Sequence, residues 1–202
     1  MAGRGNTREA NVSNDVLEIA GGTRREPHPG AQRSRTKAAN AFNAIIAAPF
    51  GKVGIRASGE ALREIVYLPG HTASVEPDCE LAARAAAQME RYFEHADAGF
   101  DLPLALSLGT PFQRSVWDGI CSIEAGDVLT YGELAKRIGS VNPRAVGQAC
   151  GDNPFPLVIP CHRVVAANGL GGFAHHKGEG FFRDVKRWLL AHESTAKQFE
   201  LR

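Results

Sequence analysis

Three helix starts are spelled out between Thr110 and Pro143, and they commit this stretch to a tight cluster of short helices. Thr110-Pro111 offers a hydroxyl cap followed by a proline at the first helical position, where the missing N–H is no loss. Phe112, Val116, Trp117 and Ile120 then recur at helical spacing. Thr130 caps a second helix, Tyr131–Ile138, with Glu133 in the capping-box position and Gly139 as its stop. Asn142-Pro143 repeats cap and proline for a third helix, Arg144 to Gly151. Two short helices joined by a glycine-containing turn are a helix-turn-helix signature. The third helix carries small residues at Ala145, Gly147 and Ala149, where a major-groove reader carries polar side chains. Such a face either packs against a neighbouring helix or allows close backbone approach to a narrow surface. Arg144 stands at its start.

The chain before this cluster reads differently. Residues 1–40 are rich in Gly, Arg, Ser, Asn and Thr, a composition that cannot offset the entropy of ordering, and are expected to form a disordered tail. Strands are predicted at Phe42–Pro49, Val53–Ala57 and Ala61–Leu68, separated by the turns Phe50-Gly51-Lys52 and Ser58-Gly59-Glu60. A helix is predicted from Asp78 to about Ala98, with Leu81, Ala85, Met89 and Phe93 at four-residue spacing. The expected fold is α/β: a small N-terminal antiparallel sheet plus helix domain over 41–107, then a mostly helical, winged helix-turn-helix-like domain over 108–195, with 196–202 as a tail.

Composition narrows the function. The 202 residues, 44% of them hydrophobic, can bury a core as one large domain or two small ones. A net charge of +1 announces no nucleic-acid partner, yet binding needs only a local positive face. Cys79, Cys121, Cys150 and Cys161 show no metal-ligand spacing, so free thiols in a reducing compartment are expected. No apolar run approaches the ~20 residues of a membrane span, and the N-terminus lacks the h-region of a signal peptide. Its arginines are interrupted by Glu9, Asp15, Glu18 and Glu26, which argues against a mitochondrial presequence. A cytoplasmic location is expected, without a membrane partner.

The chemistry concentrates at Ile159-Pro160-Cys161-His162-Arg163-Val164-Val165. A thiol attacks only as thiolate, and a free one with pKa near ~8.5 is mostly protonated at neutral pH. His162 offers a base and Arg163 a positive field, both expected to lower the pKa of Cys161. The proline-framed stretch Asn153-Pro154-Phe155-Pro156-Leu157-Val158-Ile159-Pro160 is stiff enough to hold that cysteine in place.

Five blocks in order resemble the O6-alkylguanine-DNA alkyltransferases, the methylated-DNA–protein-cysteine methyltransferases. They are Gly109–Trp117, Leu129–Ala135, Arg144–Ala149, then Asn153-Pro154 with Ile159–Val165, and Lys186–Glu193. The resemblance implies a protein that docks its helix-turn-helix in the minor groove of double-stranded DNA and flips out O6-alkylguanine, or O4-methylthymine. It would transfer the alkyl group once, irreversibly, to its own Cys161, acting as a monomer without a cofactor. Arg144 would fill the gap in the duplex, with Ala145, Gly147, Gln148 and Ala149 on the DNA-facing helix. Tyr131 would press the neighbouring phosphate. His162, through a bridging water in the family, would take the thiol proton, oriented by Glu193. Asn153 would tie the recognition helix to the cysteine segment. Val164, Phe173 and Ala174 would form the pocket, the amides near Phe173 and Ala174 holding O6 as it leaves.

The sequence departs from the family in two places. The turn between the helices is one residue short, with Pro143 directly before the arginine. The pocket segment Gly171–Phe182 is longer than usual, with Phe173 for tyrosine and Ala174 for serine. His175-His176 lack a partner spaced for metal and are expected as exposed loop residues; His71 and Cys79 are expected at the surface. No four-cysteine zinc site can be assembled, because Cys79 alone precedes Cys121. Cys121 and Cys150 are expected as small buried residues, Trp117 and Trp188 as core anchors. Two rival readings are a cysteine hydrolase, which leaves Tyr131 and Arg144 unexplained, and a non-catalytic binder of alkylated bases, which would not need Cys161.

Overall fold

A computed structural model describes residues 41–200, with side chains placed through residue 194. The expectation of disorder for 1–40 lies outside the described residues, as do residues 201 and 202. The chain opens with a meander, β1 (Ala44–Ala48), β2 (Gly51–Ser58) and β3 (Ala61–Leu68), paired antiparallel in that order. Gly51 turns the first hairpin at φ 144°, and a β-carbon there would stand 2.7 Å from the Leu68 carbonyl oxygen, so a side chain has no room. One face of the sheet buries Val53, Ile55, Leu62, Ile65 and Tyr67. Helix α1 (Glu80–Glu94) packs across it through Ala82, Ala85, Ala86, Met89 and Tyr92. This helix is shorter at both ends than the alternation of its apolar residues predicts.

Three helices follow. In α2 (Pro111–Cys121) the cap is a complete capping box, because the Gln113 side chain returns to the Thr110 amide at 2.8 Å. Thr130 and Glu133 form the second box at the start of α3 (Tyr131–Arg137), and the Asn142 side chain accepts from the Ala145 amide at the head of α4 (Pro143–Gly151). Gly139 ends α3 with φ 71°. Helix α5 (Phe181–Glu200) closes the fold. The backbone of 196–200, expected as a tail, continues this helix.

Two features position the site, and neither has a periodicity that the sequence could show. Leu129–Thr130 (β4) and Val164–Val165 (β5) pair in parallel, setting the start of α3 beside the residues that follow Cys161. The outer edge of β3 is covered: the Ile65 amide donates to the Pro154 carbonyl at 2.8 Å, and Leu62 exchanges hydrogen bonds with Pro103 and Ala105. An edge strand is thereby protected, and the cysteine segment is fastened to the N-terminal sheet. Burial is continuous from Ile55 and Met89 to Trp117, Phe155 and Leu189, so the sheet and the helical region share one core. Trp117 is anchored there by its indole N–H, which donates to the Ala149 carbonyl at 2.9 Å; Trp188 is half-buried. Cys150 is buried as expected, but Cys121 is exposed on the last turn of α2.

Candidate active site and nucleic-acid interface

Cys161 begins a single 3₁₀ turn, Cys161–Arg163, and is 7% exposed. The Asn153 side chain sets this turn: its Nδ2 donates to the Ile159 carbonyl at 2.8 Å, and its Oδ1 accepts from the Phe155 amide at 2.9 Å. The Cys161 amide donates to the same Ile159 carbonyl. Asn153 lies directly behind α4, so it joins the recognition helix to the cysteine segment. Leu157, inside the proline-framed stretch, holds φ 73° while fully packed, a strained conformation fixed by its burial.

The environment of the thiol differs from the expected one. Burial pushes the Cys161 thiol up, and the Asn153 side chain and the Lys186 charge offset this only in part. Arg163 does not face the thiol. Its Nε and Nη2 grip the two oxygens of Glu193 at 2.9 Å each, and its Nη1 donates to the Ile123 carbonyl at 2.5 Å. The positive field expected on Cys161 acts instead on Glu193. The resting thiol is therefore protonated and needs a base to become a nucleophile.

The neighbouring imidazole is fully buried. His162 Nε2 lies 2.8 Å from Glu193 Oε1. Burial on its own would raise the Glu193 carboxyl, but hydrogen bonds from His162 and Arg163 hold it well below the usual carboxylate range. An ionised carboxylate can only accept, so Nε2 carries the imidazole proton and Nδ1 is a free lone pair. Nδ1 is buried without a partner. Burial lowers the His162 pKa despite the opposing pull of Glu193, so the ring stays neutral and can accept a proton. The Glu193 oxygens are completed by the Tyr92 hydroxyl at 2.8 Å and the Gly126 amide at 3.3 Å.

A cavity of about 410 Å³ opens from Cys161 to the surface. Its walls include Tyr131, Arg144, Gly147, Gln148, Phe173 and Ala174. Arg144 and Gln148 are exposed at its mouth, and Ala145 is half-buried. Gly147 faces the Tyr131 ring, whose carbon atoms lie 3.7 Å from where a β-carbon would stand. Four expectations change. Ala149 is 2% exposed and points into the core, because α4 turns that position towards Trp117. Val164 is fully buried outside the cavity wall, and its carbonyl accepts from Lys186 at 2.7 Å. Tyr131 turns its hydroxyl inward to the Gly172 carbonyl at 3.3 Å, not outward towards a phosphate. The Phe173 amide is also engaged, donating to the His176 carbonyl at 2.9 Å, so it is no free donor for a leaving oxygen.

Lys186 is the residue the sequence reading missed. It is fully buried and donates to the Val164 and Gly172 carbonyls at 2.7 and 3.0 Å. Its ammonium lies 5.7 Å from the Phe173 ring centre and 6.0 Å from that of Tyr131. Burial lowers its pKa to about 8, with the nearby Cys161 opposing. The signal was present: Val185, Lys186, Leu189 and Glu193 share the apolar stripe of α5, where a lysine needs a reason. His175 and His176 are exposed as expected, and among the described residues no group of three His, Cys, Asp or Glu could hold a metal. No helix among them is long and apolar enough to cross a membrane.

A buried thiol with a neutral imidazole base, reached through a cavity whose mouth is a helix-turn-helix, defines a cysteine-dependent transferase directed at DNA. The DNA-binding domain family of 6-O-methylguanine DNA methyltransferase matches residues 111–195. The methylated-DNA–protein-cysteine methyltransferase of Methanosarcina acetivorans is 37% identical over 161 residues, spanning 76% of this chain and 99% of that protein. The crystal structure of the Mycobacterium tuberculosis O6-methylguanine methyltransferase superposes with a TM-score of 0.62 at 34% identity, covering 75% of this chain and 92% of that one. A structure from the same organism, described as OGT in complex with DNA, gives 0.61 at the same identity and coverage. The Methanococcus jannaschii enzyme gives 0.53 at 32% identity, over 74% and 92%. The chain belongs to the methylated-DNA–protein-cysteine methyltransferase family, enzymes of DNA repair.

Proposed function

We propose that this protein repairs O6-alkylguanine in double-stranded DNA by moving the alkyl group, once per molecule, to Cys161. The observation that carries this reading is a buried thiol on the cavity wall followed directly in the chain by a histidine whose Nδ1 is buried without a partner. Helix α4 meets the minor groove, its small residues permitting close approach, and Arg144 takes the place of the extruded nucleotide. Extrusion costs a few kcal/mol and least at a damaged pair, which favours the lesion before any bond changes. His162 Nδ1 accepts the thiol proton, directly or through one water. The sulfur attacks the alkyl carbon, the carbon–O6 bond breaks, and its electron pair goes to the guanine, which takes up a proton. Lys186 adds positive character beside the cavity as that charge develops. The product thioether is a poor leaving group, so the reaction ends there. O4-methylthymine is the second substrate of the same chemistry, and one monomer suffices for it.

The test is intact and peptide mass spectrometry after incubation with a duplex carrying one O6-methylguanine. One methyl on Cys161 per protein, absent in Cys161→Ala, is the expected result. An unmodified Cys161 with the duplex still bound would leave a lesion-binding protein and sink the transferase reading.

A further inference from the structure

The loop 171–180 carries an exposed lysine, Lys177, on the wall of the cavity that also bears Arg144. The loop is held in shape. Phe173 and His176 exchange backbone hydrogen bonds at 2.9 and 2.8 Å, and the His176 ring stacks on Phe182 at 4.1 Å, tilted by 9°. His175 Nε2 lies 2.8 Å from Asp152 Oδ1, which clasps the loop to the C-terminal end of α4. Ala174 and His175 hold φ values of 46° and 64°, so the chain turns sharply at this clasp. The stem of Lys177 folds back over the pocket floor, its Cγ 3.7 Å from where a β-carbon on Gly172 would stand.

The charges around Lys177 are already matched. Asp152 receives His175 and the Gln113 amide, and Glu179 receives Arg183 and Arg187. Lys177 makes no ion pair among the described residues, and no carboxylate competes for it. A shaped loop that displays an unpaired ammonium beside a DNA-directed cavity suits an anionic partner that comes to the same opening.

We propose that Lys177 is a DNA-backbone contact, a second cationic post on the rim that bears Arg144, gripping a phosphate next to the extruded nucleotide. This rests on the reading of the cavity as the receptor of a flipped base. The clasp to Asp152 then makes the loop and the recognition helix one DNA-docking surface.

The decisive experiment measures affinity for a duplex carrying O6-methylguanine between about 50 and 200 mM salt, in the Cys161→Ala background so that no alkyl group moves. Each neutralised phosphate contributes about 0.9 to the slope of log affinity against log salt. Lys177→Ala should lower that slope by about 0.9 and weaken binding at low salt, and Lys177→Arg should restore both. With Cys161 intact, the transfer rate at subsaturating duplex should fall in Lys177→Ala in step with the lost affinity, and Lys177→Arg should recover it. An unchanged salt slope overturns the proposal. A slope that falls equally in Lys177→Ala and Lys177→Arg also overturns it, because a backbone contact made by charge would survive the arginine. Failure of wild-type Cys161 to gain a methyl group is a separate result, and it refutes the transferase reading instead.

Discussion

The Tyr92 hydroxyl and the His162 imidazole share one oxygen: both reach Oε1 of Glu193 at 2.8 Å. Tyr92 belongs to α1, in the N-terminal part of the fold, and is 1% exposed. The carboxylate that orients His162 is thus held from both halves of the chain. Tyr92→Phe keeps the ring and removes only that donor. It should lower stability by about 1.5–3 kcal/mol, the range for a hydrogen bond to a charged group. It should slow methyl transfer by roughly tenfold, the equivalent of 1.4 kcal/mol in the barrier. Duplex affinity should be unchanged. Chemical denaturation, single-turnover kinetics and binding to a lesion-containing duplex check the three parts.

The two titrating groups beside the thiol predict the shape of the pH–rate profile. In the proposed reaction His162 acts as the neutral base, and its pKa lies below the ordinary 6.5, so transfer should hold its rate as pH falls through 6.5 and drop only lower. Lys186 loses its charge near pH 8, and with it the positive character it lends the pocket, so the rate should decline as pH rises through that value. Lys186→Met should remove the alkaline decline and lower the plateau. Single-turnover rates from pH 5 to 10 decide the matter; a plateau unbroken through pH 9 would rule out this role for Lys186.

Stability should fall in acid in two stages. A buried histidine with a lowered pKa leaves the unfolded state binding more protons below 6.5, so stability declines as pH drops from there. Glu193, held well below its ordinary 4.5, contributes stability that is full above 4.5 and is lost as pH falls through its folded value. Glu193→Gln should abolish the second stage and be less stable at neutral pH, because Arg163 then loses its anion in a buried setting. Urea midpoints measured every half pH unit would show whether the acid slope depends on this carboxylate.

The Trp117 indole N–H ties α2 to the core-facing side of α4. Trp117→Phe leaves the buried Ala149 carbonyl without its donor and removes part of a ring from the core. The expected cost is about 1–3 kcal/mol for the orphaned acceptor, plus the loss in packing. A melting curve gives the loss, and a duplex-binding assay on the folded variant should show weaker binding, because α4 is then less firmly seated.

What could be read from residues alone follows from the range over which each signal acts. Thr110, Thr130 and Asn142 announced their helices because a cap acts within one turn, and the meander was legible in its turn residues. Cys161, His162, Asn153 and Glu193 were legible through motif resemblance, and the structure brings them to one place. Arg163 was misread because its partner, Glu193, is distant in sequence, so its direction depends on tertiary packing. Tyr92 had no signal of its own, since a buried hydroxyl leaves no trace in a hydrophobic pattern. Ala149 was assigned to the DNA face from its size, where helical phase turns it inward. The β4–β5 pair is two residues long on each side, too short for any alternation to appear.

That pair has a mechanical meaning. By joining Thr130 to Val165, it splints the start of the helix-turn-helix to the segment of the nucleophile, while Asn153 braces the far end of α4 to the same segment. Reader and reactant are fixed to one frame, and neither can swing towards the other. On the function proposed above, such a frame is a gauge of set depth: the distance between a stacked base and the sulfur would have to be travelled by the DNA. Softening the frame would then lengthen the protein's reach and blur its measure.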